Sequence, residues 1–505
     1  MTESSSLIES LDEAISSLHK MRQGGSFDLS LEETGKVIQV EKGVAFIEGL
    51  PNLKSGELVQ FAGKYYGLAI NLEKEKAGIV LLDQSENISV GMDAKRTNKV
   101  QEMGVGKELL GRVIDPLGRP LDNKSAPKLE KRRPIERGAP LLINRLPVKD
   151  PLLTGIQAID AMIPLGRGQR ELILGDRQTG KTSIAIDAIL NQRDQKVICL
   201  YCAIGKETSE VQCVLKDLED NGALEFTVII AASGKDSPGL NFIAPYAAMT
   251  IAEDFMENGY DTLLVLDDLT RHAWSYREIS LLLRRPPTRE AYPGDIFYIH
   301  SRLLERSTKL KKEKGGGSIT TLPIIETEEQ NISAYIPTNL ISITDGQIYL
   351  SPKLFQEGIL PAIDIGKSVS RVGGKTQLPL YRRLIKDLRL FYSQYQELES
   401  FSRFGTKLDK ETQKKLERGK RVREVLKQDR LKPLPIVDQI AFLIALTEGI
   451  FDPIPLEEIP MAKKKIQTAL YEKNPEISKE INQGRDLSEE EMHSFKELLR
   501  ELFQS

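Results

Sequence analysis

Gly175-Asp176-Arg177-Gln178-Thr179-Gly180-Lys181-Thr182 is the stretch on which the reading of this chain turns. It spells G-x-x-x-x-G-K-[ST], and its setting suits a phosphate-binding loop. The apolar run Leu172-Ile173-Leu174 before it reads as a buried strand, and Ile184, Ile186, Ala188, Ile189 and Leu190 after it read as a helix. The two glycines let the backbone curl until successive N–H groups point inward at an anion, and the helix start adds its dipole. Lys181 is expected to reach the β and γ phosphates of ATP or ADP, and the Thr182 hydroxyl to hold Mg²⁺.

Working outward, Asp261-Thr262-Leu263-Leu264-Val265-Leu266-Asp267-Asp268 is an apolar strand ending in two carboxylates. An acid at such a strand end polarises a metal-bound water beside the loop threonine, and Asp267, first past the apolar run, is the expected residue. Hydrolysis also needs a group that aims water at the γ-phosphate, usually a carboxylate at the end of the strand beside the loop strand. Here that strand ends Ala203-Ile204-Gly205-Lys206-Glu207-Thr208. A lysine cannot accept the water's proton at neutral pH, whereas Glu207 could if the register slipped by one residue.

The surrounding sequence divides into four segments. Residues 1–28 read as an amphipathic helix with Leu7, Leu11, Ala14, Ile15 and Leu18 on one stripe. Residues 29–97 switch to short alternating strands with glycine turns, which predicts a small β-barrel. Residues 98–376 alternate strands with helices, which predicts an α/β domain on a mostly parallel sheet. Residues 377–505 carry helical patterns punctuated by Pro433, Pro435, Pro453 and Pro455. The expected fold is therefore multidomain: β-barrel, RecA-like P-loop core, C-terminal α-helical bundle.

Composition narrows the function. With 505 residues and a net charge of −3, nothing calls for a polyanionic partner such as nucleic acid. Cys199 and Cys202 fit a CxxC spacing, but in a strand positions three apart face opposite sides, so buried packing is expected rather than metal or redox chemistry. No apolar run reaches the length of a membrane span, and the acidic N-terminus suits neither a signal nor a transit peptide. A cytosolic location follows, with membrane contact only through a complex.

Several long strings resemble the alpha subunits of rotary F-type ATP synthases. They include Ile163-Pro164-Leu165-Gly166-Arg167-Gly168-Gln169-Arg170-Glu171-Leu172, the loop in its Gln178 version, Ser280-Leu281-Leu282-Leu283-Arg284-Arg285-Pro286-Pro287 and Ser368-Val369-Ser370-Arg371-Val372-Gly373-Gly374. The likeness spans essentially the whole sequence. It implies a ring of three alpha and three beta subunits around a gamma stalk, on the cytoplasmic side of a bacterial inner membrane. The machine would make ATP from an H⁺ or Na⁺ gradient, or hydrolyse ATP to pump ions. Alpha would hold a non-exchanging regulatory nucleotide and leave bond-breaking to beta. Arg371 matches the family's arginine finger, reaching into the partner's catalytic site. Gly175 to Thr182, Phe355 and Gln428 match nucleotide-contacting positions, Gln428 near the adenine. The N-terminal helix matches the segment that contacts the delta subunit of the peripheral stalk, and the C-terminal bundle would face gamma.

The sequence departs from the family at three places: Lys206 where alpha subunits have glutamine, Leu360 where an arginine is usual, and Arg430 in place of a second glutamine. These put the base and ribose pocket in question and fit a second, alternate form of the machine. Two rivals stay open. A self-sufficient homohexameric secretion ATPase shares the plan, but should carry its own catalytic glutamate where Lys206 stands. An RNA-dependent helicase of the terminator kind should show aromatic stacking platforms on its barrel, for which Phe46, Phe61, Tyr65 and Tyr66 are a poor signal.

Overall fold

A computed structural model describes residues 33–386, 388–402, 409–473, 475–482 and 484–503. The expected N-terminal helix lies outside the described residues.

Six antiparallel strands close the barrel: β1 (Thr34–Glu41), β2 (Val44–Glu48), β3 (Glu57–Phe61), β4 (Tyr65–Leu72), β5 (Lys76–Leu81) and β6 (Asp93–Val100), in the order β1-β2-β5-β4-β3-β6. Alternation decides which side chains fill it: Val37, Ala45, Ile47, Val59, Phe61, Ala69, Ile79 and Ala94 form one interior cluster. Phe46 faces the other way, into the core shared with the nucleotide domain. Phe46 and Phe61 are both buried, so neither serves as a base-stacking platform.

The central sheet is built on β7 (Val113–Ile114), β8 (Leu172–Asp176), β9 (Ile198–Lys206), β10 (Thr227–Ser233), β11 (Asp261–Asp267), β12 (Ser318–Thr327), β13 (Gly346–Leu350) and β14 (Val369–Ser370). Their order is β14-β13-β8-β12-β11-β9-β10-β7. All these neighbours pair in parallel except β13 and β14. The central strands read as apolar runs because both faces are covered. Cys199 belongs to the hydrophobic cluster on one face and Cys202 to that on the other, so the CxxC spacing places the two thiols on opposite sides of β9.

Helices α1 (Lys181–Leu190), α2 (Thr208–Asp220), α3 (Pro238–Glu257) and α4 (Leu269–Leu282) follow four of these strands. α3 starts with a serine cap, Ser237 Oγ accepting from Leu240 N at 3.2 Å, and a proline in its first turn. The C-terminal region is helical, and α5 (Ile436–Thr447) is buried from Ile436 to Leu446. Its side chains continue the same cluster that covers one face of the sheet, so bundle and nucleotide domain share a core.

Candidate functional site

The loop between β8 and α1 is shaped by two left-handed residues, Gln178 (φ 62°) and Gly180 (φ 94°). Gly175 must be a glycine on grounds of space: a Cβ there would lie 2.7 Å from the Leu350 carbonyl oxygen. Asp176 anchors the loop, accepting from Thr327 Oγ1 at 2.6 Å and from the Gln330 amide at 3.0 Å. Lys181 Nζ donates to the Gly175 and Asp176 carbonyls at 2.9 and 2.7 Å. Burial pulls this ammonium below the usual lysine range, with Glu326, Asp268 and Asp267 opposing. An anion in the loop would meet a cation already desolvated.

The metal-binding candidates are brought together. Thr182 Oγ1 donates to Asp267 Oδ2 at 2.7 Å, and Tyr201 donates to the same oxygen at 2.7 Å. The other oxygen, Oδ1, lies 2.8 Å from Lys206 Nζ. A hydroxyl and a carboxylate are the donors that Mg²⁺ takes, directly or through water, so the pair fits the ion. Among the described residues no group of three or more His, Cys, Asp or Glu side chains is placed to hold a metal without a phosphate. Asp268 starts α4 by accepting from the Arg271 amide at 2.8 Å, and burial pushes its carboxyl up to about 7. Burial works against the charge on Lys206, but Asp267 and Asp268 outweigh it and hold the ammonium above its ordinary value.

Glu207 does not line the cavity above the loop. It is the N-cap of α2, in a capping box with Glu210: each side chain accepts from the other residue's backbone N–H. The Glu207 amide donates to Glu210 Oε2 at 3.2 Å. The strand end therefore sends Lys206 to the site and Glu207 to the helix.

A cavity of about 730 Å³ opens over the loop. Arg177, Gln178, Thr179, Gly180, Lys181, Thr182, Phe355 and Gln428 line it; Gly175 and Asp176 do not, and serve as acceptors for Lys181 and as the anchor. Gln428 is a clasp as well as a wall. Its Oε1 accepts from Gln157 N at 3.1 Å, and its Nε2 donates to Gly155 O and Lys432 O at 2.8 and 2.9 Å. Leu360 and Arg430 also line the cavity, and Arg430 pairs with Asp217 at 2.7 Å, turned toward α2. Sequence reasoning missed Glu326, Asp187, Ile156 and Tyr201. Glu326 was legible as the first acid of the strand end Leu322-Pro323-Ile324-Ile325-Glu326; the others carry no local signal.

Arg371 does not line this cavity. It stands exposed past the sheet-edge strand β14 and donates to the Thr344 and Ile341 carbonyls, each at 3.1 Å. The guanidinium is held by carbonyl oxygens rather than by a carboxylate, at the molecular surface.

A parallel sheet carrying a glycine loop, a threonine–aspartate pair and a large cavity defines a P-loop nucleotide-binding subunit. Models of the ATP synthase alpha/beta family match three consecutive regions: its beta-barrel domain over residues 31–98, its nucleotide-binding domain over 155–370 and its C-terminal domain over 377–502. Relatives named ATP synthase subunit alpha are similar along nearly the whole length. That of Syntrophus aciditrophicus is 56% identical, over 97% of this chain and 94% of its own. That of Chlorobium luteolum is 54% identical, over 96% and 95%. That of Marinomonas sp. is 52% identical, over 99% and 98%. The protein belongs to the ATP synthase alpha/beta family.

Proposed function

We propose that this protein is the alpha, non-catalytic subunit of a rotary F-type ATP synthase, binding ATP or ADP in its own site and lending Arg371 to a catalytic site on beta. The observation that carries the reading is Lys206: the position from which water would be activated holds an ammonium, 2.8 Å from Asp267. An ammonium at this distance from a carboxylate takes no proton from water. Lys181 and the loop would hold the phosphates, with Thr182 and Asp267 as the residues for Mg²⁺ where it accompanies the nucleotide. Phe355 and the aliphatic Leu360 would offer an apolar wall to the base. Arg371, exposed and not among the residues that line its own cavity, is a cation available to a neighbouring subunit.

In this reading the subunit alternates with beta in a ring, meets gamma through its C-terminal bundle and delta through its N-terminal segment. Among the described residues no helix is long and apolar enough to cross a membrane, so its place on the cytoplasmic face of the cell membrane would come through the complex. The test is ATP hydrolysis by the purified protein, alone and then assembled with beta and gamma. Negligible turnover alone and brisk turnover in the ring are expected. Brisk hydrolysis by the isolated protein, abolished by Glu207→Gln, would overturn the reading and favour a self-sufficient hexamer.

A further inference from the structure

We propose that Lys206 supplies, in this subunit's own nucleotide site, the positive charge a metal ion would otherwise bring, so that the site grips a triphosphate with little dependence on Mg²⁺. The inference rests on the reading of the site as a nucleotide-binding one.

The geometry begins at Gly205. Its φ of 64° coincides with a break in the β9–β10 register between Ile204 and Lys206. Such a bulge re-aims the side chain that follows it. Lys206 is thereby turned to the cavity, which it lines beside Thr182 and Lys181. Only 7% of its surface is exposed.

Asp267 then has a donor or a cation beside each oxygen. Oδ2 accepts from Thr182 and Tyr201, and Oδ1 faces Lys206. A metal-bound water needs a carboxylate lone pair to accept its hydrogen bond, and those still open on Asp267 belong to Oδ1, beside the Lys206 ammonium. Asp268 Oδ2 lies 3.9 Å from Lys206 Nζ, too far for a direct hydrogen bond. An ammonium has three N–H donors and Asp267 occupies one direction, which leaves donors for a phosphate oxygen in the cavity. A divalent cation seated at Thr182 would stand beside this fixed positive charge, and like charges close together oppose each other's binding. Triphosphate charge in this cavity is met by two ammoniums and the loop amides without an ion.

The test is equilibrium titration of the full-length protein with ATP, by calorimetry, in excess MgCl₂ and in excess EDTA. For the wild type the two dissociation constants should agree within about threefold, the metal's gain being offset by repulsion from Lys206. For Lys206→Gln, binding in EDTA should weaken and binding in Mg²⁺ hold, opening a ratio of about tenfold or more. A lysine with a purely structural role would shift the melting temperature and leave the ratio unchanged, which overturns the inference. So does a wild type that binds more than about threefold tighter with Mg²⁺, whether or not the variant folds. ATP bound with equal metal dependence in both proteins overturns the inference alone. No binding to either protein under either condition overturns the nucleotide reading as well.

Discussion

Replacing Arg371 by alanine separates assembly from catalysis. In the folded protein this guanidinium makes hydrogen bonds to Thr344 O and Ile341 O at 3.1 Å each and is exposed. A hydrogen bond of this kind contributes about 0.5–1.5 kcal/mol net, less at the surface, so the two together hold no more than about 2 kcal/mol of the subunit's own stability. Arg371 also eases the charged form of Glu171, whose carboxyl burial raises well above the usual range. Losing that influence pushes the Glu171 carboxyl further in the direction that burial already takes it. The variant should therefore fold and assemble. If Arg371 meets charge developing on a partner's γ-phosphate, its loss costs on the order of 10³ in steady-state turnover, or about 4 kcal/mol of transition-state stabilisation. The assay is ATP hydrolysis by rings reconstituted with beta and gamma, with assembly checked by size. Arg371→Lys keeps a charge without the planar fork and should recover only part of the loss. Turnover of the alanine ring within about threefold of wild type would refute the role, because no transition-state contact worth that factor could then be missing.

Three further outcomes follow from the same geometry. Glu207→Ala removes one half of the α2 capping box and should cost about 1 kcal/mol in thermal or denaturant unfolding, with ATP affinity unchanged. Arg306 is 1% exposed and bonds to Glu253 through Nε and Nη2 at 2.8 Å each, and to Ile135 O at 2.8 Å. Arg306→Met leaves the buried Glu253 carboxylate only its 3.2 Å pairing with the half-buried Arg137 and should destabilise the protein by about 3 kcal/mol, read as a fall in melting temperature. Burial raises the Asp187 carboxyl to about 6, with the Leu431 amide and Arg430 opposing. The neutral acid is thus the form the fold prefers. Its contribution is whole below the unfolded value near 4 and is lost as pH rises through about 6. Relative to Asp187→Asn, the wild type should lose on the order of 2–3 kcal/mol between those pH values, and parallel stability curves would refute the assignment.

The phosphate loop, the order barrel, core and bundle, and the opposite facing of Cys199 and Cys202 were all legible before folding. Each is a local pattern: a motif between a strand and a helix, a change of period from two to 3.6, a pair of residues three apart. The barrel's closing strand was beyond such patterns. Asp93–Val100 carries one buried side chain, Ala94, and is a strand because β1 and β3 pair with its backbone. Gln428 lines the cavity, and the hydrogen bonds that tie it to Gly155 and Gln157, far away in the sequence, had no local signal. The strand end Lys206-Glu207 shows the division most clearly. Composition places a lysine and a glutamate side by side, and either could have faced the site. A bulge at Gly205, the carboxylate of Asp267 on the neighbouring strand β11 and the start of α2 decided between them. Periodicity records which face a residue occupies, whereas the partner that neutralises a buried charge is fixed only when distant strands are laid edge to edge.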